Sequence, residues 1–241
     1  MRRPVVVIFV KLPVAGRVKT RLGRDVGMPA AAWWFRHEVA RLTRRLRDPR
    51  WRLVLAVSPD AAVNAAPRCW PAALPRTSQG RGDLGARMAR ALRAAGPGPA
   101  AVIGADIPDL DGRAVAHALA LLRRAACVFG PSEDGGYHLV GLRRPHAAPR
   151  GFLRGVRWSG PHALADSLRA APRPVAFGAT LADVDDAADL ARHSRSAARD
   201  AQRAHRRQPA QHRIHGDGGE DDPHHAADHA GAGGPDESLQ P

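Results

Sequence analysis

Short apolar runs alternate with longer stretches of helical spacing through about residue 193 of the chain. Residues 5–10 form an unbroken apolar run, residues 53–57 a second that Ser58-Pro59 closes, and residues 100–105 a third. Each has the length of a buried strand rather than of a helix. Between the first two, residues 29–47 carry Trp33, Trp34, Val39, Leu42 and Leu46 in a roughly helical stripe. Between the second and third, residues 83–95 carry Leu84, Met88, Ala91 and Leu92 at helical spacing, with Asp83 placed as the N-cap. Beyond them the pattern predicts a helix over 113–124 and strands over 126–130 and 138–142. A helix over 161–171, a short strand over 175–177 and a last helix over 187–193 follow. Such alternation predicts an α/β fold, a three-layer sandwich around a mostly parallel sheet. In these sheets ligands gather at the carboxyl ends of the strands.

The chemically loaded residues fall at those ends. Of 37 Lys and Arg residues only two are lysines, Lys11 and Lys19, and both lie in one stretch with Gly16 and Arg21, directly after the first apolar run. A Gly-containing basic loop after a strand offers backbone N–H groups and cations to phosphate, Lys as a point charge and Arg as a fork. Asp106 follows the third run, where Pro108 stops the ladder; a carboxylate on a rigid strand end suits Mg²⁺. Asp109 or Asp111 would then cap the next helix. In Asp183-Val-Asp185-Asp186 an extended backbone would turn Asp183 and Asp185 to one side, able to share an ion with Asp106, while Asp186 reads as an N-cap. Glu133-Asp134-Gly135-Gly136 combines acids with glycines that permit a tight turn against a ligand.

Composition narrows the function classes. The 241 residues contain no apolar run near membrane-spanning length, and Lys11 interrupts the N-terminal apolar stretch too early for a signal peptide, so a cytoplasmic protein without a membrane partner is expected. Cys69 and Cys127 are read as reduced thiols. The net charge of +14 invites a nucleic-acid reading, but Arg is spread through every segment without interleaved aromatics, so no nucleic-acid partner is expected. The positive field suits an anionic substrate instead. From residue 197 the chain turns His-, Asp- and Gly-rich with a net charge of −3. That composition predicts a domain over 1–196 and a disordered tail over 197–241.

Six motifs recur in a recognisable order: residues 11–22, Gln79-Gly-Arg-Gly-Asp-Leu-Gly-Ala-Arg-Met88, Gly104-Ala-Asp-Ile-Pro108, Gly130-Pro-Ser-Glu-Asp-Gly-Gly-Tyr137, Trp158-Ser159 and Asp183-Val-Asp-Asp-Ala-Ala-Asp-Leu190. Over about residues 4–193 this string resembles a bacterial family of small GT-A-fold proteins described as glycosyltransferase-like, some of them linked to arsenosugar biosynthesis. The family is distantly similar to the guanylyltransferases of molybdenum-cofactor and deazaflavin-cofactor (phospholactate) synthesis. The resemblance implies a nucleotide-diphospho-sugar transferase, Rossmann-like fold with Mg²⁺ or Mn²⁺ between protein and phosphates. It implies that Gly16, Lys19 and Arg21 hold the nucleotide phosphates with Lys11 at the entrance, that Asp106, Asp183 and Asp185 hold the metal, and that Gln79, Asp83 and Asp134 meet nucleotide or acceptor. Lys19, Arg21 and Asp106 would carry the catalysis. Asp186 and Ala187 depart from the Thr-Pro common in the family. The expected activity is glycosyl transfer from a nucleotide-sugar to a small-molecule acceptor. Nucleotidyl transfer from a nucleoside triphosphate to a phosphorylated acceptor is the alternative, and a non-catalytic nucleotide-binding protein a third.

Overall fold

A computed structural model describes residues 2–65, 67 and 70–207. The compact body ends at Ala201. In chain order the elements are β1 (Val5–Lys11), α1 (Thr20–Val26), α2 (Met28–Arg45), β2 (Arg52–Ser58), β3 (Arg76–Ser78), α3 (Leu84–Ala94) and β4 (Ala100–Ile103). They continue as α4 (Gly112–Leu121), β5 (Cys127–Pro131), β6 (Tyr137–Leu142), α5 (Ala163–Arg169), β7 (Val175–Phe177) and α6 (Ala187–Arg207).

The strands make one sheet in the order β3-β2-β1-β4-β6-β5-β7. β1 pairs in parallel with both β2 and β4, β2 with β3, and β5 with β7. Only β6 runs against its neighbours, because a tight turn joins it to β5 as a hairpin: Ser132 N–H donates to the Gly136 carbonyl at 3.1 Å, and Gly135 adopts φ 83°. From β1 the sheet grows one way through β2 and the other way through β4, so the crossovers reverse at the β1/β4 boundary. The carboxyl ends of those two strands frame the crevice where such sheets bind ligands.

Both faces of β1 are covered, which is why its apolar run is continuous. Val6, Ile8 and Val10 pack on one face with Phe35, Val39 and Leu42 of α2, Leu46 just after it, and Val115 of α4. Val5 and Val7 pack on the other with Met88 and Leu92 of α3, Phe152 and Leu153. The alternation follows the two-residue period of a strand.

Several expectations are corrected. Residues 20–26, read as loop, form α1, and Gly27 at φ 91° separates it from α2. Trp33 leaves the expected stripe and is 63% exposed; Phe35 takes the buried position. β3 escaped notice because it is three residues long and mostly polar. Asp83 caps α3 by accepting from Ala86 N–H at 2.8 Å, and Asp111 rather than Asp109 caps α4, accepting from Arg113 and Ala114 N–H at 2.9 and 2.8 Å. The last helix continues to Arg207, past the boundary read at 196. Residues 208–241 of the tail and Cys69 lie outside the described residues. Cys127 is a buried free thiol whose pKa burial pushes up to about 12, which leaves it inert as a nucleophile. Among the described residues no helix is long and apolar enough to cross a membrane.

Candidate active site

The basic loop leaves β1 at Lys11 and turns at Gly16, which adopts φ 75°. It ends at Lys19, whose own backbone is left-handed (φ 45°, ψ 49°) at the N-cap of α1. A left-handed non-glycine residue is uncommon and is held only where its surroundings fix it. Here the side chain supplies the fixing. The Lys19 side chain is 8% exposed, and its ammonium meets Asp106 Oδ2 directly and Asp185 Oδ1 at 2.8 Å. Burial alone would lower the Lys19 pKa, but the charges of Asp106 and Asp185 more than offset it, and the pKa is raised. Arg21, two residues on, donates from Nη1 to Asp185 Oδ2 at 3.0 Å and lies 3.9 Å from Asp186.

The two acidic segments are held together by backbone. Val184 N–H donates to the Asp106 carbonyl at 3.3 Å, and the Val184 side chain is buried with Leu22 and Ala31. With Val184 turned into the core, Asp183 and Asp185 face Asp106, and one carboxylate oxygen from each of the three lies within 4.8 Å of the others. Burial, then the charges of Asp185 and Asp106, push the Asp183 pKa up to about 6. Asp186 accepts from Asp189 N–H at 3.0 Å while Asp189 accepts from Asp185 and Asp186 N–H, a reciprocal cap that starts α6. Three hard oxygen donors with one balancing ammonium form a set that fits a divalent ion such as Mg²⁺.

Lys19, Asp106 and Asp185 open onto a cleft of about 540 Å³ that Lys11, Gln79 and Arg87 also line, with Phe9, Phe35 and Trp158 as apolar walls. Gln79 is buried: its Nε2 donates to the Val10 and Ala56 carbonyls at 3.2 and 2.9 Å, and its Oε1 accepts from Arg87 Nη1 at 2.9 Å. Gln79 thus clips the ends of β1 and β2 and aims Arg87. Of the other expected residues, Arg21 and Asp183 adjoin the cleft through Asp185. Gly16, Asp83 and Asp134 do not line it. Asp134 instead accepts from Gly136 N–H at 2.9 Å in the β5–β6 turn.

Arg87 is the cleft residue that sequence reasoning left without a role. Its signal is its spacing, four residues after the cap Asp83 and therefore one turn up the same face of α3. Trp158 and Ser159, quoted only as a motif, line the cleft too. Asp166 fixes their segment by accepting from Arg157 N–H, Nε and Nη2 at 3.2, 2.8 and 3.0 Å. Gly85 in α3 admits that segment, since a Cβ there would collide with the Leu153 carbonyl and the Trp158 ring.

Comparison with known proteins agrees with this fold. A candidate nucleotide-diphospho-sugar transferase from Desulfovibrio desulfuricans G20 superposes with a TM-score of 0.68 at 30% identity, over 79% of this chain and 85% of that one. CMP:2-keto-3-deoxy-manno-octonic acid synthetase, solved with CTP, shares the fold with a TM-score of 0.51 at 15% identity, over 83% of this chain and 100% of that one. No curated protein sequence matches. Residues 41–160 match a family of uncharacterised proteins conserved in bacteria (DUF2064). With that match, and the identity to the Desulfovibrio protein over most of both lengths, the chain belongs to the DUF2064 family and has the fold of the nucleotide-diphospho-sugar transferases.

Proposed function

We propose that the protein is a divalent-ion-dependent transferase that moves a glycosyl group from a nucleotide-sugar to a small-molecule acceptor. The observation that carries this reading is the convergence of Asp106, Asp183 and Asp185 beside Lys19 at the carboxyl ends of β1 and β4. In the proposal the three carboxylates hold Mg²⁺ or Mn²⁺, which when bound supplies charge neutralisation to a leaving diphosphate. Lys19 and Arg21 add fixed positive charge beside it, and Lys11 and Arg87 extend that field across the cleft. Phe9, Phe35 and Trp158 exclude water from one side, which strengthens each of these interactions. Asp134 and Asp83 are assigned to the periphery, where their contacts are with backbone.

Nucleotidyl transfer from a nucleoside triphosphate is the second reading, favoured by the concentration of Lys11, Lys19 and Arg87 around one cleft, enough cation for a triphosphate. Incubation with Mg²⁺ and a panel of nucleoside triphosphates, nucleoside diphosphates and nucleotide-sugars, with melting temperature as readout, separates the two. Stabilisation by a nucleotide-sugar and by its nucleoside diphosphate supports glycosyl transfer. Stabilisation confined to one triphosphate supports nucleotidyl transfer, and stabilisation by neither contradicts both.

A further inference from the structure

A second groove, of about 880 Å³, lies between α3 and the segment 150–154 and shares no lining residue with the cleft. Four of its residues are arginines, Arg90 and Arg93 on α3 and Arg150 and Arg154 on the facing wall. Its one carboxylate, Asp83, accepts from Ala86 N–H as the helix cap. Arg45, Arg50 and Arg157 each meet a carboxylate, whereas none of these four pairs with one among the described residues.

Two of the four guanidinium groups are oriented by backbone carbonyls. Arg90 donates from Nη1 to Gln79 and from Nη2 to Arg81 at 2.8 and 2.9 Å, and Arg93 donates from Nη2 to Pro149 at 3.3 Å. Their forks are therefore held in place with further N–H groups to spare. Phe152 and Leu153 are buried at the groove's base, and Ala86, Ala89 and Ala94 leave it open.

We propose that this groove binds a small molecule carrying at least two phosphate or carboxylate groups, at a site separate from the transferase cleft. Four like charges on two facing walls repel unless an anion lies between them, and a planar fork matches the oxygens of phosphate or carboxylate two at a time. Each wall carries two guanidinium groups, so a ligand with two anionic groups can engage both walls at once. The chemistry is not that of a strand of nucleic acid, because the groove lacks the exposed aromatic rings on which bases stack, Phe152 being 3% exposed.

The test is calorimetric titration of inorganic tripolyphosphate into the full chain in EDTA. Arg150→Ala/Arg154→Ala removes two exposed side chains and leaves α3 and its capping intact. Affinity is expected to fall about tenfold or more in this pair, as for the loss of charge-assisted contacts. The binding event lost in the groove pair is expected to persist in Lys19→Met, which alters only the separate cleft, and in Arg41→Ala/Arg44→Ala, a control of equal charge change on the exposed face of α2. Unchanged affinity in the groove pair overturns the proposal, as does an equal fall in the control pair or a loss confined to Lys19→Met. Tighter binding of a single-stranded oligonucleotide than of tripolyphosphate, lost in the groove pair, overturns it in favour of a macromolecular polyanion.

Discussion

Replacing Asp183 by Asn in the metal-free protein is expected to raise its stability near neutral pH. Burial and the neighbouring charges of Asp185 and Asp106 move the Asp183 pKa from 3.8 to about 6, so its ionised form is held at a cost. At about 1.36 kcal/mol per pH unit the shift corresponds to about 3 kcal/mol before screening. Asp183 is only half-buried, and solvent screening reduces the figure to about 1.5 kcal/mol. The folded pKa lies above the unfolded one, so the cost is present above about pH 6 and is relieved as pH falls from there toward 3.8. Urea unfolding in EDTA should therefore show Asp183→Asn more stable than wild type at about pH 7.5, with the gain shrinking toward zero at about pH 4. Added Mg²⁺ should stabilise wild type and leave the variant unmoved, because a ligand has been lost. A variant less stable than wild type at the higher pH, or an equal difference at both, would refute the electrostatic reasoning.

Lys19→Met removes the ammonium that Asp106 and Asp185 share; divalent-ion affinity measured without nucleotide should tighten roughly tenfold, while nucleotide affinity falls by about 1–3 kcal/mol. Calorimetry that finds the metal bound more weakly would contradict the shared-carboxylate picture. Asp166→Asn breaks the clamp on Arg157 and should loosen Trp158 and Ser159, seen as altered tryptophan fluorescence and a several-fold weaker nucleotide affinity with metal binding retained. Fluorescence and affinity that both stay at wild-type values would remove its positioning role. A chain ending at Arg207, the last residue of α6, is expected to keep the melting temperature and nucleotide binding of the full chain. Loss of either would mean that the remaining tail docks on the body.

How far the sequence was legible depended on how local each signal was. β1 and β2 were readable because a strand buried on both faces must be apolar throughout, and the α3 cap because Asp83 acts within its own turn. The pairing of Asp183 with Asp185 was legible from the two-residue period of extended chain. Their meeting with Asp106 depends on the Val184 to Asp106 backbone bond, a contact between segments far apart in sequence that no local pattern encodes. Gln79 was expected at the ligand, yet its amide is spent on the ends of β1 and β2; only the crossover geometry puts those carbonyls within its reach. The helix α1 was missed because its seven residues set one glycine and three charged side chains around only two apolar ones, Leu22 and Val26, so that the stretch reads as a continuation of the basic loop.

The central claim is that three carboxylates hold a divalent ion between the protein and a nucleotide's phosphates. Calorimetric titration of the stabilising nucleotide into wild type and Asp106→Asn, each with Mg²⁺ and with EDTA, tests it most directly. The account predicts metal-dependent binding in wild type and its loss in Asp106→Asn, with the melting temperature of the variant in EDTA kept near that of wild type. Binding with the same metal dependence in both proteins would contradict it.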